Sequence, residues 1–118
     1  MTAATILSRR EQARRYRQEG PERGVYVIRN LLEPRVYLGA SLNLRGAMNR
    51  ARFELELGGH RHRALLADWQ RLGADAFVFE VVQTLKKSDD PAFDASAELA
   101  TLLELWRDEF RERGEAFY

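Results

Sequence analysis

A chain of 118 residues fits one compact domain and is too short for two separate cores. With 45% apolar and 31% charged residues it sits among ordinary folded proteins, and the absence of cysteine excludes disulfides and thiolate metal sites. No stretch has the apolar length of a signal peptide core or a bilayer span, so no membrane association is expected and the cytoplasm is the expected location.

The net charge of +1 hides an asymmetry. Residues 1–63 carry thirteen basic against six acidic side chains, and residues 64–118 carry six against twelve. The basic half uses arginine, from Arg9 and Arg10 to Arg61 and Arg63. Guanidinium forks match phosphate oxygens and stack on bases, so nucleic acid is the natural partner of such a surface, although a solvated face would carry the same charges.

The first element, within residues 1–20, is expected to be a basic N-terminal helix that stops at Gly20-Pro21 and aligns Arg10, Arg14 and Arg17 on one face. The compact domain then occupies residues 21–118. "GVYVIR" and "RVYLG" form two strands around a loop between Arg29 and Pro34. That loop pairs Tyr26 with Tyr37 and Gly24 with Gly39. It also sets Val25, Val27, Val36 and Leu38 on a core face and both tyrosines on the other.

A helix from about Asn43 to Leu57 follows, capped by Ser41 or Asn43, with Leu44, Ala47, Met48, Ala51 and Leu55 inward. After Gly58-Gly59, "HRHRALLADWQRLG" reads as a helix packing Leu65, Trp69 and Leu72. "FVFEVVQTL" is a third strand. Asp94 caps a last helix with the stripe Leu99, Leu102, Leu103, Trp106 and Phe110.

Gly24-Val25-Tyr26, ten residues, then Tyr37-Leu38-Gly39 resembles the paired tripeptides of the GIY-YIG nuclease family, and the similarity runs on to about Phe110. The resemblance implies an α+β fold, a small three-stranded antiparallel sheet flanked by helices, here with an extra N-terminal helix. It implies a DNA endonuclease that hydrolyses phosphodiester bonds with one divalent metal ion, Mg²⁺ or Mn²⁺. In that chemistry Tyr26, Tyr37 and His60 are the catalytic candidates, and Gly24 and Gly39 are structural. Arg29, Arg45, Arg50 and Arg52 are candidates for the nucleic acid. Glu104 is the candidate metal ligand, with Glu98 and Glu80 as alternatives.

Three features depart from the family pattern, one of them being that the asparagine that often closes the family's domain has no match in "GEAFY". Ala47 stands where the family has its phosphate-facing arginine, and Leu103 stands where it has its metal-binding glutamate. A nuclease-like domain that binds nucleic acid without cutting it is therefore the alternative expectation, followed by a protein interaction module. His62 has no family counterpart, and with only two histidines in the chain "HRH" gives little support to a metal site.

Overall fold

The computed structural model describes residues 20–118; the expected N-terminal helix lies outside that range. Strand β1 (Arg23–Asn30) is hydrogen-bonded on one side to β2 (Arg35–Ser41) and on the other to β3 (Phe77–Leu85), all antiparallel. The run Val25-Tyr26-Val27-Ile28 is buried throughout, as a central strand covered on both faces must be. Helices α1 (Leu44–Leu57) and α2 (Arg63–Leu72) cover one face, and α3 (Ala95–Glu112) covers the other. Among the described residues no helix is long and apolar enough to cross a membrane.

The β1–β2 register differs from the expected one by two residues: Tyr26 faces Gly39, and Tyr37 faces Ile28. Asn30 explains the slide. It stays in the strand, and its Oδ1 accepts the N–H groups of Leu32 and Glu33, both at 3.0 Å, which moves the loop to Leu31–Pro34. A slip of two preserves the faces, so Val25, Val27, Val36 and Leu38 do share a core, with Phe110 of α3. The tyrosine face is no open surface. Tyr26 and Ile28 belong to a second core with Leu44, Leu55, Leu65, Trp69 and Phe77.

The new register also gives the two glycines separate tasks. A Cβ on Gly39 would lie 2.5–2.7 Å from the Tyr26 ring, so the missing side chain is the space in which that ring sits. Gly24 faces Ser41 and Thr84, where a Cβ would collide with the Gln83 carbonyl beside a bulge in the β1–β3 pairing.

Caps set the helix starts. Asn43 Oδ1 accepts from Gly46 N–H at 2.9 Å, and Gly58 closes α1 in a left-handed conformation. Asp94 caps α3 through Ala97 N–H at 3.1 Å. Helix α2 starts later than "HRHR" suggested, because His62 is its cap: Nδ1 accepts from Leu65 N–H at 3.4 Å.

Beyond α3 the chain returns to the free edge of β2. Val36 donates its N–H to Ala116 O at 2.8 Å and accepts from Tyr118 N–H at 2.9 Å, a short parallel bridge. The Tyr118 hydroxyl donates to Asp68 Oδ2 at 2.8 Å and accepts from Asn30 Nδ2 at 3.0 Å. Replacing Tyr118 by Phe removes both bonds and leaves Asn30 Nδ2 without this partner. The expected cost is about 1–2 kcal/mol, read as a lower Tm, and an unchanged Tm would show that these two hydroxyl bonds contribute nothing to stability.

Candidate nucleic-acid interface

The tyrosines, the α1–α2 connection, α3 and the tail meet around the outer edge of β2 in a cleft of about 400 Å³. Tyr26, Tyr37 and His62 line it from one side of the sheet, Leu103 and Arg107 from the other, with Arg61, Phe117 and Tyr118 at its rim and end. The tyrosine rings lie 6.5 Å apart, on diagonal rather than opposed positions, and still meet because aromatic side chains span that offset.

Both rings are held from behind. Gly39 makes room for Tyr26, whose phenol is pushed up to about 12, first by burial and then by the neighbouring Tyr37, against a smaller opposing pull from Arg61. At neutral pH Tyr26 is therefore a hydrogen-bond donor and a poor base. Tyr37 is half-buried, and the His60 and His62 rings meet it edge-on, each at 5.6 Å.

His60 is buried behind Tyr37 and is not among the side chains lining the cleft. Its Nδ1 accepts the His62 backbone N–H at 3.0 Å, and burial lowers its pKa, helped by His62 and Arg61 and opposed by Glu54. The neutral form is thus favoured on folding. The corresponding stability is present above the ordinary histidine pKa of about 6.5 and is lost as pH falls through the lower folded value. The urea midpoint of the wild type should drop between about pH 7 and 5, and His60→Asn should flatten that slope. Equal slopes would contradict the assignment. Asp68 titrates below this window, since the Arg71 and Tyr118 hydrogen bonds hold its carboxyl below the usual range.

The four arginines expected to meet nucleic acid lie outside this cleft. Arg29 is on the α3 side of the sheet, bound to Glu115 and, at 3.2 Å, to Glu80. Arg50 pairs with Glu54 at 3.4 Å, and Arg52 lies 4.5 Å over the Phe79 ring. Arg45 is exposed, and none of the four lines the cleft. Ala47 packs toward the Tyr26 core as its place in the apolar stripe implied.

Arg61 and Arg107 instead bring the positive charge to the cleft. The signal for Arg107 was present in the sequence: it lies four residues, about one turn, beyond Leu103 on α3 and so shares its face. Arg61 carried no comparable signal, because the α1–α2 connection has no periodicity from which to read a direction.

No aspartate or glutamate lines the cleft among the described residues, and none of their His, Asp and Glu side chains form a group of three that could hold a metal ion. Leu103 lines the cleft at the position where the family pattern has its glutamate. Glu104 points to the exterior and pairs with Arg107 at 3.5 Å. Glu98 is exposed in the first turn of α3, and Glu80 is on β3, the strand at the opposite edge of the sheet. Magnesium and manganese take mainly oxygen ligands, carboxylates above all. Phenols, guanidinium groups and one imidazole do not form such a donor set.

An antiparallel sheet in the order β2-β1-β3, two helices on one face, a long C-terminal helix on the other and a tyrosine cleft at the β2 edge define a small α+β domain. The particular structures it resembles are those of one homing endonuclease. The catalytic domain of I-TevI shares 20% sequence identity at a TM-score of 0.63, over 80% of this chain and 94% of that one. A point mutant of the catalytic domain of intron endonuclease I-TevI shares 18% at a TM-score of 0.65, over 82% and 92%. The fold is therefore that of the I-TevI catalytic domain. No family model and no curated protein matches the sequence.

Proposed function

We propose that this chain is a nuclease-like domain that binds DNA, taking a backbone phosphate in the β2-edge cleft without metal-supported hydrolysis. The observation that carries the reading is the composition of the cleft wall: Arg61, Arg107, three phenols and an imidazole, with Leu103 in place of a carboxylate. Such a wall suits a phosphate, which needs cations and hydrogen-bond donors. It does not suit a divalent cation, which needs anionic oxygens.

The protonated state of Tyr26 supports the same reading. A phenol pushed up to about 12 is protonated at neutral pH and can donate a hydrogen bond to a phosphate oxygen. The competing reading is hydrolysis with one Mg²⁺ or Mn²⁺ held by Glu104. It draws on the ion pair that ties Glu104 to the cleft-lining Arg107.

Incubation with labelled single-stranded, duplex and branched DNA and with RNA, in Mg²⁺ or Mn²⁺ beside an EDTA control, separates the two. The expected result is retarded but intact DNA, with retardation that weakens steeply with salt. Cleavage that disappears in EDTA and in Tyr26→Phe would establish the competing reading.

A further inference from the structure

We propose that the cleft receives one unpaired nucleotide, with its base against the aromatic wall at Tyr37, His62 and Tyr118 and its phosphate at Arg61 and Arg107, so that single-stranded DNA is preferred to duplex. The inference rests on the phosphate-binding reading above and adds to it the state of the strand.

Three features of the site lead there. The first is size. At about 400 Å³ the cleft lies near the lower end of the range for small-ligand pockets, roughly 300–1,000 Å³. That volume is on the scale of one nucleotide rather than a base pair.

The second is a pre-set aromatic wall. Tyr37 meets His62 edge-on at 5.6 Å, and His62 meets Tyr118 at 5.9 Å, so the ring planes turn from one to the next. The Arg35 guanidinium lies 4.2 Å over the Tyr118 ring, and Asn30 and Asp68 fix its hydroxyl. Rings held in this way lose little freedom when a base packs on them. Base–aromatic stacking is also largely indifferent to sequence.

The third is the backbone of β2. Outward-facing N–H and C=O groups alternate along an antiparallel edge strand, and those of Val36 already point outward to the tail. Those of Leu38 and Ala40 therefore point outward as well. Both residues line the cleft beyond the end of the bridge, and they have no further strand to pair with among the described residues. They offer donors and acceptors at the height of the aromatic wall. In a duplex the Watson–Crick edge of a base is already paired; in a single strand it is free to meet them.

Fluorescence anisotropy with the full chain in EDTA, at matched salt, tests the proposal with three probes: a single-stranded oligonucleotide, its duplex, and a single strand of abasic sites with the same phosphates. The single strand should bind at least tenfold more tightly than the duplex. The abasic strand should bind roughly 5- to 150-fold more weakly than the single strand. Tyr37→Leu, which removes the ring at one end of that wall, should narrow this second gap. Equal affinity for the intact and abasic strands, or equal or tighter binding of duplex, overturns the nucleotide pocket and leaves phosphate binding standing. Failure of all three probes to bind overturns phosphate binding itself.

Discussion

Replacing Arg61 and Arg107 together by alanine is expected to weaken DNA binding roughly a hundredfold or more, since each removes a charge-assisted hydrogen bond worth about 1.5–3 kcal/mol. The slope of log affinity against log salt should fall by about 0.7 per lost contact on a single strand. The fold should survive. Arg61 is exposed, Arg107 is half-buried, and the one ion pair removed among the described residues is the surface pair with Glu104. The control is Arg45→Ala with Arg50→Ala, which removes two charges from α1 outside the cleft. If the control weakens binding as much as the cleft pair does, the protein binds by diffuse charge and the cleft has no special role.

The second large effect is expected at Gly39. A valine there sets its branched side chain into the space held by the Tyr26 ring, which is buried against Ile28, Leu44 and Leu55 and has nowhere to withdraw. Overpacking of this kind costs about 1–3 kcal/mol, and for a domain of this size Tm should fall by roughly 4–12 °C. Gly59→Val is the contrast, because nothing lies within 4 Å of a Cβ at that position. A Gly39→Val protein with near-normal Tm would mean that the ring can move, and the close approach of Gly39 to Tyr26 would lose its explanation.

Much of the fold was legible in the residues. Strand alternation, the breaks at Gly58-Gly59 and Gly73, and Asp94 as a cap placed two helices, three strands and the final helix in order. The β1–β2 register was not, because the decisive contact is made by the Asn30 side chain bonding to the loop backbone, which no hydrophobic pattern records. The double-sided sheet was hidden for a related reason. Tyr26 and Tyr37 alternate correctly for an exposed face, yet Trp69 and Phe77 come from distant segments to join the core behind them.

The site was legible in part. Both tyrosines and Leu103 line the cleft. The arginines of α1 do not, because the helix turns Arg50 and Arg52 toward Glu54 and the Trp69–Phe79 wall. Arg61 and His62 were out of reach of any periodicity argument, and Phe117 and Tyr118 reach the cleft only through the tail's bridge to Val36.

The central claim is that Arg61, Arg107 and the tyrosines hold a DNA phosphate by themselves. Its most direct test is the affinity of the wild-type protein for a single-stranded oligonucleotide, measured in EDTA and again in Mg²⁺ at constant ionic strength. Equal affinities, with the oligonucleotide recovered at full length from both, are the predicted result. Binding that requires Mg²⁺, or shortened oligonucleotide recovered from the Mg²⁺ sample alone, would contradict it.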